Sequence, residues 1–371
     1  MHGKERYNYM NLCMFDFPIN SSIMLPSETG FYYKYSGRNV FIRCIPLTGK
    51  NTFSYLNKDN LSNNEVKVNV STISNKNKDA PVKSFFLSNQ DGIYNGGFIE
   101  PKKFTRMQIY FEIDSIQLIK EENELKNIEL WIASLVHDFI DLYRLHTNET
   151  DVVRPKLNDS SVIEILCADK YKFEPDIIEG NFKMVHRIFN WDNNTKAGHI
   201  KKLVTSEIIH DFASDLKTGL RPKIYQKLLL DAREQSLHRE DHDFSVVITE
   251  IAFETSLKEF LYDFCSITGK QELVVGKGKD QKIQKYTEAI ENSNVSDALN
   301  IINNIFGENL KGTKEYNDWY SHTYFKRNEI IHKGKFETDE NDAKKAFIAT
   351  ATFIDFIRSK FVNLLPKKNN K

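Results

Sequence analysis

The apolar pattern of this chain changes period near residue 121, and that change constrains the fold class more than any other feature. Before it, "GFYYKYSG", "NVFIRCIPL", "EVKVNVSTI", "VKSFFL" and "MQIYFEI" alternate apolar and polar residues. Clusters rich in Asn, Ser, Gly and Asp, such as "NKDNLSNNE" and "SNQDGIYNGG", separate them. That alternation is the mark of short strands, and their density points to a small sandwich or open barrel. After it, "NELKNIELWIASLVHDFIDLYRLHTN" sets Trp131, Leu135, Phe139 and Tyr143 four apart, the stripe of an amphipathic helix facing a core.

Residues 148–222 are mixed, with candidate strands at "SVIEILCA" and "FKMVHRIF". Pro222 disfavours helix at Arg221, which makes the pair a boundary. From Ile224 the period is helical, through "IYQKLLLDAREQSL", "FSVVITEIAFETSLKEFLYDFCSI", "VSDALNIINNIF", "YNDWYSHTYFKRNEIIHK" and "DAKKAFIATATFIDFIRSKFVNLL". The Lys/Gly segment "TGKQELVVGKGKDQKIQK" reads as an exposed connection, Gly334 as the residue after a helix end, and Asp342 as the N-cap of the last helix. The expected fold is therefore α+β. A β-rich sensor or accessory domain covers 1–120, a mixed middle region 121–222, and an all-α bundle 223–371.

Composition narrows the function classes. Lys plus Arg and Asp plus Glu both number 51, so no global field steers a polyanion and any nucleic acid must be held by a local basic patch. Cys13, Cys44, Cys167 and Cys265 are far apart and form no CxxC pair, which argues against a disulfide framework and for a reducing compartment. The first residues lack an apolar signal core, and no run approaches about 18 apolar residues. A cytoplasmic protein without a membrane partner is expected.

Chemistry is concentrated in "YFKRNEIIHKGKF", residues 324–336. Spacing alone decides nothing, because Arg233 and His238 repeat the interval between Arg327 and His332. Context separates the two pairs: the first runs into the charged turn "HREDHDF", whereas the second closes an aromatic helix. At about 100° per residue, Arg327, Asn328 and His332 share an arc of about 140°, with Ile330 outside it. The alternative is that the cations merely offset the negative end of the helix macrodipole.

"RNEIIH" resembles the arginine–polar–x3–histidine signature of HEPN-domain proteins, many of which are metal-independent endoribonucleases. "LLLDAREQSL…DFSVVITEIAFETSLKEFL" is similar to the first two helices of that domain, with Glu254 at the usual acidic position. The resemblance covers about residues 224–365. It implies a HEPN-like bundle, a homodimer with two motifs facing one cleft, and RNA as the partner. It also implies proton transfer by His332, phosphate binding by Arg327, polar support from Asn328, and no metal or other cofactor. Such chemistry needs a base for the 2′-hydroxyl proton and a fixed cation beside the phosphate. Imidazole and guanidinium meet those needs.

Lys326, Lys333 and Lys335 are candidate backbone-binding residues beside the motif. By analogy with the family, the biological role is that of a toxin or an antiviral (phage defence) effector, with a protein antitoxin or trigger as a further partner. The alternative is a non-catalytic RNA- or protein-binding module that serves as a dimerisation scaffold. His238 and His242 have the i, i+4 spacing of metal ligands but no third ligand, so a solvated loop is the expected reading.

Overall fold

In the computed structural model, residues 10–19, 29–47, 65–72, 104–147, 162–174, 177–189, 206–276 and 278–364 are described, with positions 23, 25, 152, 154 and 155. The expected strand "VKSFFL" and the tail "PKKNNK" lie outside the described residues. The protein is α+β and packs as two compact units, Met1–Pro222 and Lys223–Lys371.

In the first unit, eight strands form one sheet: β1 (Asn11–Ile19), β2 (Thr29–Tyr35), β3 (Arg38–Leu47), β4 (Glu65–Thr72), β5 (Phe104–Ile113), β6 (Val162–Ala168), β7 (Tyr171–Glu174) and β8 (Ile177–Phe189). Their order is β4-β2-β3-β5-β1-β6-β8-β7. β4 also pairs with β8, antiparallel from Glu65↔Lys183 to Ser71↔Ile177, so the sheet curls until it closes on itself. Ser36 and Gly37, both at positive φ, make the tight β2–β3 turn that suits a two-residue hairpin.

The two faces of β1 are both buried. Cys13, Phe15, Phe17 and Ile19 join a large core with α1 (Glu122–Thr147) and α2 (Ser206–Thr218). Leu12 and Met14 face Phe41, Tyr110, Leu166 and Phe182 on the opposite side. Residues of the 121–222 region thus share a core and a sheet with the N-terminal strands. A polar string crosses the second face: Asp16 accepts from Arg106 and, at 2.9 Å, from Gln108 Nε2, and Tyr110 Oη donates to Gln108 Oε1 at 2.9 Å. Burial raises the Asp16 carboxyl against the opposing pull of Arg106. The fold brings Cys13 and Cys167, distant in sequence, to register partners with their sulfurs 3.6 Å apart, and all four cysteines are free.

The second unit contains α3 (Ile224–His238), α4 (His242–Thr268), α5 (Tyr286–Glu291), α6 (Val295–Phe306), α7 (Lys314–Trp319), α8 (Phe325–Lys333) and α9 (Glu340–Leu364). α4 is the central rod. Asp241 caps its start by accepting from the Phe244 amide, and Gly269 at φ 70° ends it. Its buried residues Phe253, Leu257, Leu261 and Cys265 pack against α6 and α9 residues, among them Leu299, Ile302, Phe353 and Ile357.

Two sequence expectations are corrected here. "ELVVGKGKDQKIQK" is no mere connection: β9 (Glu272–Val275) pairs with β10 (Lys282–Lys285), because Leu273 buries itself in the bundle core. Asp342 is not the N-cap of α9. Its amide donates to Asp339 Oδ1 at 2.7 Å, so Asp339 caps, and Asp342 Oδ2 instead accepts from Lys326 Nζ at 2.8 Å. No helix among the described residues is long and apolar enough to cross a membrane.

Candidate functional site

Residues 314–333 run as one helix with a wide turn in the middle. Thr313 caps its start, accepting from the Tyr316 amide at 3.2 Å. At Tyr320–Tyr324 the helix opens into a π turn, where the Phe325 amide donates to the Tyr320 carbonyl five residues back. Gly334, at φ 63°, ends the helix, and the Lys335 amide donates to the Glu329 carbonyl. That is the role expected for Gly334.

The helix is pinned from behind. Ile330 is buried with Val246, Ala343 and Ala346, and Thr323 Oγ1 donates to the Ala346 carbonyl at 3.0 Å. Pinning this side turns the remaining arc of α8 outward. There the structure brings together Arg327, Asn328 and His332. Arg327 Nη1 donates to Asn328 Oδ1 at 2.9 Å and lies 3.3 Å from His332 Nε2. A guanidinium can only donate, so in that contact Nε2 can serve only as the acceptor. His332 itself is exposed.

Behind this trio lies a carboxyl that sequence reasoning missed. Glu250, on α4, is 4% exposed. Its Oε2 accepts from Trp319 Nε1 at 3.0 Å, and its Oε1 has no hydrogen-bond partner among the described residues. Burial pushes the carboxyl up to about 8, against the weaker opposing effects of the Trp319 indole and the Arg327 charge. Near neutrality it is therefore mostly protonated, and it does not neutralise Arg327. Among the described residues Arg327 makes no ion pair. The signal was present in the sequence: Glu250 falls on the α4 stripe of Val246, Phe253 and Leu257, where a carboxylate has no place unless it is held or protonated.

The other candidates occupy different surroundings. Glu254 is half-buried, one turn after Glu250, and pairs with Lys258 at 3.1 Å. Lys333 and Lys335 pair with Glu329 at 3.7 and 3.0 Å, and Lys326 with Asp342 at 2.8 Å. Each lysine beside the motif thus has a carboxylate partner, in pairs exposed enough to be weak. Arg233 packs over the Phe347 ring at 5.4 Å, and His242 Nδ1 contacts Ser236 Oγ at 3.1 Å. Among the described residues no group of three or more His, Cys, Asp or Glu side chains converges. Compared with known proteins, the chain matches no family model, no curated protein and no solved structure.

Proposed function

We propose that this chain is a metal-independent endoribonuclease of the HEPN type, acting as a homodimer through its C-terminal bundle. The observation that carries the reading is the Arg327–His332 contact at the exposed end of a pinned helix, with Arg327 in no ion pair among the described residues. In the proposed reaction an imidazole of His332 takes the 2′-hydroxyl proton. The 2′-oxygen attacks the adjacent phosphorus, and the 5′-oxygen leaves with a proton from the second copy's imidazolium, which becomes neutral. The products are a 2′,3′-cyclic phosphate and a 5′-hydroxyl. Arg327 holds the non-bridging oxygens with a planar fork as their charge grows, and Asn328 fixes that fork. Exposed Phe325, Ile331 and Phe336 around the motif supply apolar surface for a second copy. A role as toxin or antiviral effector, with the first unit as sensor and a protein antitoxin or trigger, follows from the family resemblance alone.

The ion pairs of Lys326, Lys333 and Lys335 favour a second reading, a non-catalytic RNA- or protein-binding scaffold. The deciding experiment incubates purified protein with mixed RNA in EDTA and compares wild type with His332→Ala. Cleavage by wild type alone supports the nuclease. A dimer that leaves RNA intact under all conditions supports the scaffold.

A further inference from the structure

The helix that carries Arg327 and His332 also carries a row of aromatic rings leading to them. Tyr316, Tyr320, Tyr324, Asn328 and His332 follow one another at intervals of four. In an α-helix each such step drifts about 40° around the axis. The π turn at Tyr320–Tyr324 holds more residues per turn and works against that drift, which keeps the row on one side. The rings bear this out. Tyr316 and Tyr320 are stacked with centroids 5.9 Å apart and planes 18° apart, and Tyr320 and Tyr324 with 5.4 Å and 25°.

Near-parallel rings whose centroids are that far apart are displaced sideways, because face-on contact would bring the carbons to about 3.5–4.0 Å. The offset leaves part of the Tyr320 face free of its neighbours, and Tyr320 is 43% exposed, while Tyr316 and Tyr324 on either side are half-buried against the bundle core. The row is also held in place. Trp319, 2% exposed and bonded to Glu250, packs against Tyr316 at 5.5 Å and Tyr324 at 5.4 Å. A held row of rings, open to solvent at Tyr320, next to a guanidinium that makes no ion pair among the described residues suits a ligand that joins flat rings to phosphates.

We infer that Tyr316, Tyr320 and Tyr324 form a stacking platform for unpaired nucleobases beside the scissile phosphate, so that the substrate class is single-stranded or looped RNA. This rests on the nuclease reading for the position of the phosphate. Tyr324 lies one turn and Tyr320 two turns from Asn328, a reach of about 6 and 12 Å along the axis, which places a few nucleotides on the row. Duplex RNA keeps its base faces within its own stack and cannot use such a surface. Stacking is tolerant of base identity, so the platform selects strandedness and not sequence.

The test uses the full-length chain carrying His332→Ala, so that binding is read without turnover. The probe is a short single-stranded RNA with one 2-aminopurine, and its matched duplex serves as control. Tyr320→Ala and Tyr320→Leu are expected to weaken single-strand binding by about 5- to 150-fold and to abolish the fluorescence quench. Tyr320→Phe keeps both, and the duplex binds weakly to every form. Melting curves check that the exposed substitution leaves the fold intact. Equal binding by Tyr320→Ala, or equal binding of duplex and single strand, overturns the platform. Cleavage by the His332-intact protein is scored separately: cleavage that is indifferent to Tyr320→Ala sinks the platform alone. RNA neither bound nor cleaved by any form sinks the nuclease reading together with it.

Discussion

Glu250 makes the stability of this protein depend on pH in a direction opposite to that of most carboxylates. The group's ordinary value is 4.5 and burial raises it to about 8. Between those values the native state keeps a proton that the unfolded chain has released, so stability falls as pH rises through that interval and levels off above it. Each pH unit is worth about 1.36 kcal/mol, so the full interval corresponds to roughly 5 kcal/mol, and the window from pH 6 to 8 to roughly 2–3 kcal/mol. In Glu250→Gln the amide carbonyl can still accept from Trp319 Nε1, but nothing titrates. The assay is scanning calorimetry of both full-length proteins from pH 5.5 to 9, read as the difference in Tm, so that Asp16, Glu129, Glu259 and the tyrosines cancel. The variant should gain on wild type by several degrees between pH 6 and 8, at about 2–4 °C per kcal/mol for a unit of this size. A difference curve that is flat across that window, or one that slopes the other way, refutes the reasoning.

Other perturbations test separate parts of the structure. His332→Ala should abolish RNA cleavage with RNA affinity nearly unchanged, whereas Arg327→Ala should weaken binding as well, by about 1.5–3 kcal/mol, in paired cleavage and filter-binding assays. Ile330→Ala should cost about 2–4 kcal/mol in denaturant melts, because it opens a hole among Val246, Ala343 and Ala346. Gly334→Ala meets no atom within 4 Å, so its cost, about 1–2 kcal/mol of left-handed backbone strain, should appear in stability without loss of packing. Arg106→Met deprives both Asp16 and Glu164, buried and 3.5 Å away, of their shared cation and should destabilise the first unit by about 3–5 kcal/mol, while adding Asp16→Leu should recover only the part due to Asp16.

The long helices of the bundle and α1 were legible from their apolar patterns and plain ends, whereas α2 (Ser206–Thr218), in the mixed region, and the short α5 (Tyr286–Glu291) were not. Trp131, Leu135, Phe139 and Tyr143 mark α1, and "VSDALNIINNIF" coincides with α6, capped by Asn294 and closed by Gly307. β2, β3 and β5 were legible by alternation. β1 was not, because "NLCMFDFPI" is buried on both faces and shows no alternation to read. The β9–β10 hairpin was hidden by its lysines, and Leu273, with Val275 partly buried beside it, anchors it in the core. In the site, Arg327, Asn328 and His332 share one arc by helical spacing, but only the aromatic helix around them sets them apart from Arg233 and His238. Glu250 shows in the sequence only as a carboxyl on an apolar stripe, and its bond to Trp319, 69 residues away in the chain, is not local enough to read. The π turn also escapes local patterns, since it depends on how Thr323 meets Ala346 and Thr350 on another helix.

These tertiary contacts explain why the trio sits where it does. An arginine near a carboxylate would ordinarily spend its charge in an ion pair, and a phosphate would then have to compete for it. Here the carboxyl is buried deeply enough to stay protonated near neutrality, and its one strong bond goes to an indole. The same indole backs the tyrosine row, so Trp319 joins the proton on Glu250, the orientation of the rings and the freedom of Arg327 in one packed unit. A buried carboxyl with an unpartnered oxygen lowers the stability of the bundle, and a π turn interrupts the regular hydrogen bonding of its helix. Both irregularities occur within one stretch of the fold, on the helix that ends at His332 and the rod behind it. Local departures of this kind cluster where a surface is kept for a ligand, and the remainder of the bundle, from Phe253 to Phe361, is packed by ordinary apolar contacts.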